Sequence, residues 1–220
     1  MEDAERKQTG GTTERILKAA AEIFASEGYD GARVDQIAER AGVNKAMLYY
    51  HIGDKAELYG EVVLDTLKRA NEGISANLQA ANTPEDKFRA VVLAVAQAVG
   101  QSRHLPQIML REIASGGANL PESALRGMAG VFSTIRTVLV EGQEQGIFRD
   151  VNPLLTHFMI AGSILFLLAS APIRPRLAKI ESLPEATAES PSDIGTQLAD
   201  LVLNGLMCKA ADGPGPVSPV

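Results

Sequence analysis

Residues 36–51, Gln36-Ile37-Ala38-Glu39-Arg40-Ala41-Gly42-Val43-Asn44-Lys45-Ala46-Met47-Leu48-Tyr49-Tyr50-His51, read as two short helices meeting at a glycine. Ile37, Ala38 and Ala41 fall on one face at helical spacing, and Gly42 stands where a left-handed residue ends a helix without steric cost. Val43 can plug the corner. Asn44 can accept a hydrogen bond from the free amides of the next turn, so a second helix starts at about Lys45. Leu48 and Ile52 supply its buried side and leave Lys45, Ala46, Met47, Tyr49, Tyr50 and His51 outside. That is the layout of a DNA-reading helix-turn-helix, although the spacing alone also describes an ordinary helix pair with a glycine corner.

Outward from this stretch, Arg15-Ile16-Leu17 and Ala20-Ala21-Glu22-Ile23-Phe24 form a helical stripe, followed by Gly28-Tyr29, Val34-Asp35-Gln36-Ile37-Ala38 and Gly53-Asp54-Lys55-Ala56-Glu57-Leu58. With Ala41-Gly42-Val43 and Leu48-Tyr49-Tyr50-His51, these segments make the run from Thr12 to about Val63 resemble the DNA-binding domain of the tetracycline-repressor (TetR) family of bacterial transcription regulators. Two positions depart from the family pattern. Ile52 stands where Phe is usual, and Arg33 where Thr is common.

The resemblance implies an all-α protein that binds double-stranded operator DNA as a homodimer. In this scheme Asn44, Lys45, Ala46 and Met47 form the base-reading end, while Arg33, Tyr49, Tyr50, His51 and Lys55 anchor phosphates. The C-terminal domain is expected to dimerise through its last two long helices and to enclose a small-molecule effector. Phe88, Val92, Met109, Phe132 and Phe158 offer bulky, adaptable side chains for a lipophilic ligand, and His104 and His157 can orient a polar group on it. A Met or Phe on a helical stripe is core far more often than pocket lining.

The remaining sequence has helical signals and no strand signals, giving about nine helices. The first spans about Thr13 to Glu27. The next two form the motif. Asp54 with Glu57 makes a capping box for a fourth reaching about Ala81. A fifth runs from Pro84 to about Gln101, a sixth from Pro106 to before Gly116-Gly117, and a seventh from Pro121 to about Gln145. The eighth covers Pro153 to about Ala171 and the ninth Asp193 to Lys209, separated by a loop rich in Pro, Ser and Glu. The domain organisation is a flexible arm over 1–11, a helix-turn-helix domain over 12–59, a ligand-binding and dimerisation domain over 60–209, and a flexible Pro/Gly tail over 210–220.

Composition narrows the function. The chain of 220 residues is 45% apolar, has no tryptophan and carries a net charge of −6, which is unusual for a DNA binder. The charge that matters is local: from Arg40 to Gly53 there is no acidic residue. One cysteine, Cys208, cannot form an internal disulfide, and the charged N-terminus has no secretory character, both fitting the cytoplasm. Residues 151–173 contain no Asp, Glu, Lys or Arg, but Asn152-Pro153, Thr156, His157 and Ser163 fit a buried or interface helix better than a membrane span. There is no nucleophile elbow, phosphate loop, dinucleotide fingerprint or metal-ligand spacing, so neither an enzyme nor a cofactor or metal is expected. The alternative to a regulator is a helical scaffold that binds partners without DNA.

Overall fold

The computed structural model describes residues 2–181 and 190–208. Among these there are ten helices: α1 (Glu2–Gly31), α2 (Val34–Ala41), α3 (Lys45–His51), α4 (Lys55–Leu78), α5 (Pro84–Gln101), α6 (Leu105–Ala114), α7 (Glu122–Glu144), α8 (Pro153–Ala169), α9 (Arg174–Glu181) and α10 (Pro191–Leu206). The all-α architecture expected from the sequence is therefore present. Among the described residues, the one extended pairing is an antiparallel bridge between Phe148 and Met207.

Side-chain caps fix five of the ten helix starts, those of α3, α4, α5, α8 and α10. The Asp54 carboxylate accepts from the amides of Ala56 at 2.8 Å and Glu57 at 2.9 Å, while Glu57 accepts from the Asp54 amide, completing the expected capping box of α4. Thr83 and Asn152 cap α5 and α8 ahead of prolines at the first helical position. Ser190 caps α10, which begins at Pro191 rather than at the Asp193 read from the sequence.

Two features differ more substantially. Helix α1 starts at Glu2 rather than near Thr13, so the stretch expected to be an arm is helical, as its run of Ala, Glu, Arg, Lys and Gln, all of good helix propensity, allows. The regular geometry of α1 breaks where expected, at Gly28, whose φ of 75° and ψ of 177° favour glycine. A tenth helix, α9, occupies part of the stretch expected to be a loop. Proline breaks a helix interior, but Pro175 lies in the first turn of α9, where the missing N–H costs no intrahelical bond. The expected loop at 182–189, and the tail at 210–220, fall outside the described residues.

Helix α5 is the axis of the C-terminal domain. It packs along α4 and α10, with α7 and α8 also against it. Small residues permit this: Ala94, Ala96 and Ala98 are buried, and a side chain at Gly195 of α10 would lie 3.3 Å from the Leu93 backbone. Lys87 pairs with Glu141 at 2.6 Å, and Arg89 with Asp200, tying α5 to α7 and α10 at the rim. Helix α8 has two apolar faces. Ile160 and Ile164 are buried, whereas Leu155, Phe158 and Phe166 are 62%, 58% and 65% exposed. Among the described residues no helix is long and apolar enough to cross a membrane.

Candidate nucleic-acid interface

The motif is held from beneath. Ile37, Ala38 and Ala41 of α2 and Leu48 of α3 are buried in a core shared with Ile16, Ala20 and Phe24 of α1, and Val43 and Ile52 pack against that core as partial plugs. Gly42 adopts φ 66° and ψ 38°, and its N–H donates to the Glu39 carbonyl at 3.1 Å while that of Val43 donates to Ala38 at 3.0 Å. These bonds satisfy carbonyls at the end of α2 and turn the chain sharply. Asn44 then accepts from the Met47 amide at 2.7 Å. Asn44→Ala should cost about 1 kcal/mol by removing this cap, read as a lower denaturation midpoint with an unchanged denaturant slope.

With Leu48 pinned down, the opposite face of α3 is open. Ala46, Met47, Tyr49 and Tyr50 are exposed, Tyr50 at 86%, and the His51 ring is half-buried with its edge against Tyr50. Lys45 is exposed but engaged: its Nζ lies 2.8 Å from the Asp35 carboxylate of α2. This bond holds the lysine above its ordinary pKa and the aspartate below. Arg33 immediately precedes α2, with its amide donating to Gln36 and its charge felt at Lys45. Lys55 sits apart from α3, 4.7 Å over the Tyr29 ring with its ammonium directed at the Asp30 carbonyl. The structure thus leaves Asn44, Lys45, Ala46, Met47, Tyr49 and Tyr50 exposed around the buried Leu48, with Arg33 nearby, and places Lys55 at the end of α1.

The residues read as ligand-binding are less convergent. Phe88, Val92 and Met109 are buried, Phe88 against Phe148 with ring centroids 6.3 Å apart. Phe132 and Phe158 meet on either side of His157, at 5.6 and 5.4 Å. His157 is buried, its Nδ1 has no hydrogen-bond partner, and burial pushes its pKa down, so the imidazole is neutral at physiological pH. Among the described residues there is no cluster of His, Cys, Asp or Glu able to hold a metal.

The junction between the domains was not legible from the sequence. The Tyr59 ring of α4 packs edge-on against Phe24 and Tyr29 of α1, at 4.8 and 5.1 Å. Its hydroxyl donates to the buried Glu112 carboxylate of α6 at 2.8 Å, and Asn119 donates to that carboxylate through its side chain at 3.0 Å and its amide at 3.2 Å. Burial and the neighbouring carboxylate push the Tyr59 pKa up.

A buried pin, a glycine corner and an exposed capped helix, carried on a larger helical domain, define a DNA-binding regulator of the helix-turn-helix class. Residues 16–62 match the family described as "Bacterial regulatory proteins, tetR family", and residues 84–194 match the "Tetracyclin repressor-like, C-terminal domain". The chain belongs to the TetR family. It is similar to the HTH-type transcriptional repressor NicS of Pseudomonas putida, at 28% identity over 91% of this chain and 94% of that protein. It is similar also to an HTH-type transcriptional repressor of Streptomyces coelicolor, at 29% identity over 77% of this chain and 82% of that one. Among solved structures, the TetR family regulator PfmR of Thermus thermophilus superposes with a TM-score of 0.65 at 26% identity, covering 86% of this chain and 97% of that one.

Proposed function

We propose that the chain is a cytoplasmic transcriptional repressor that binds a palindromic operator as a homodimer and is released by a small lipophilic effector. The observation that carries this reading is the open face of α3, anchored through Leu48 and capped by Asn44, with no acidic side chain between Arg40 and Gly53 to repel phosphates. Repression is favoured over activation because two relatives matched over most of the chain are named repressors. Dimerisation rests on the exposed apolar face of α8 together with Leu201 of α10, 72% exposed. The effector site we favour lies around Phe132, His157 and Phe158, where an orphaned imidazole nitrogen can take one hydrogen bond from an otherwise apolar ligand.

The mechanism follows from spacing. Two copies of α3 enter successive major grooves only when about 34 Å apart, so an effector that prefers a different separation lowers operator affinity. A preference of about 1.4 kcal/mol suffices for a tenfold loss. Gel shifts with the promoter region beside the protein's own gene test the reading, and failure to retard it at any protein concentration overturns it. Residue roles separate in the same assay. Lys55→Ala should weaken binding to operator and random DNA alike and reduce the salt slope by about 1, whereas Met47→Ala should change which bases are tolerated. Equal losses on both DNAs for both variants would contradict this division.

A further inference from the structure

A cleft of about 720 Å³ opens between the two domains, within the range of small-molecule sites. One wall is α1 with Arg40 of α2, and the other is α6 with the end of α8. Its chemistry is uneven. The Arg40 guanidinium is neutralised by Glu22, with Nε donating at 3.0 Å. Arg111 of α6 has no such partner: among the described residues no ion pair holds it, and its guanidinium reaches the Ser26 carbonyl of α1 at 3.3 Å and lies beside Gly28. Around it Ile23, Leu110 and Ala169 are apolar, and His104, whose pKa burial lowers, contributes no charge at neutral pH.

We infer that this cleft is a second binding site, taking a small carboxylate with an apolar body, the carboxylate on Arg111 and the body against Ile23, Leu110 and Ala169. The site is distinct from the one around His157. A guanidinium is a planar fork of five donors matched to a carboxylate, and a backbone carbonyl satisfies only part of it. A carboxylate that engages both Nη atoms competes with the Ser26 carbonyl for the Nη2 donor and so weakens a tie between α6 and the end of α1. The consequence for DNA, a lower operator affinity, rests on the proposal that α3 binds an operator; the binding itself does not.

The test uses 2-naphthoate and its neutral isostere 2-naphthamide, titrated into the full chain by calorimetry and by amide NMR. The expected result is saturable naphthoate binding with a dissociation constant of about 1 mM or tighter, and shifts at the Ser26 to Gly31 amides. Naphthamide and the Arg111→Gln variant should each bind at least tenfold more weakly. Gln107→Trp, which fills the cleft from its α6 wall, should abolish binding with helicity intact, and it serves as the second variant should Arg111→Gln fold poorly. No binding, equal affinity for the amide, or affinity unchanged in both variants overturns the inference and leaves Arg111 as a cap on the end of α1. Operator binding measured without either compound distinguishes failure here from failure of the repressor reading, because the two assays share no component but the protein.

Discussion

Leu155→Glu combined with Phe166→Glu should give a folded chain that sediments as a monomer and binds its operator about 10²- to 10⁴-fold more weakly, while contacts to an isolated half-site keep their intrinsic strength. The two side chains are 62% and 65% exposed, so a glutamate at either position stays hydrated in the monomer and the fold tolerates it. In a dimer that buries this face, each acid loses its hydration without a cationic partner, at a cost of several kcal/mol per charge. Residues 155 and 166 lie eleven apart on α8, three helical turns and almost the same angular position. Between them, exposed Gly162 faces open space, which lets a second helix approach closely. DNA affinity falls because one protomer reads one half-site and loses the effective concentration that its mate provides. Sedimentation and anisotropy on full and half operators check the outcome. A variant that remains dimeric would place the interface elsewhere than on this face of α8.

The two faces of α8 show where sequence reading succeeds and where it stops. Its apolar character all round was plain, because residues 151–173 carry no charge; that such a helix buries Ile160 and Ile164 while leaving Phe166 outside depends on what α5, α6 and α7 cover. The motif was legible in detail because its determinants are local. Gly42 ends a helix, Asn44 caps three residues on, and Leu48 and Ile52 fall on one face, all within a short window. Lys45 illustrates the limit. Its partner Asp35 is on the preceding helix, brought near only by the turn at Gly42, and Lys55 is held by Tyr29 and Asp30 of α1. Likewise Pro175 signals a break in any local reading and is harmless in the first turn of α9. Glu112 is a still longer-range case, since an acid in an amphipathic helix normally faces water and nothing within a few residues announces Tyr59, 53 positions away.

Glu112 also carries the second large effect. Glu112→Ala should destabilise the protein by about 3 kcal/mol, because it strands the buried Tyr59 hydroxyl and takes the acceptor from both donors of the half-buried Asn119. The melting temperature should drop by about 6–12 °C for a chain of this size. Glu112→Gln keeps one acceptor oxygen and should lose about a third as much. The same site sets an alkaline limit. Tyr59 has a folded-state pKa raised above its unfolded value near 10, so its contribution to stability is complete below about pH 10 and is lost progressively as pH rises beyond it, where the unfolded chain alone ionises. Tyr59→Phe should lose about 1 kcal/mol at neutral pH and shed this residue's share of the alkaline slope while keeping the ring packing on Phe24 and Tyr29. Combined with Glu112→Gln, it should cost less than the sum of the two single changes, since both remove the same bond. Strict additivity, or a Glu112→Ala loss below about 1 kcal/mol, would mean that water already serves these donors and that α4 and α6 are joined by packing alone.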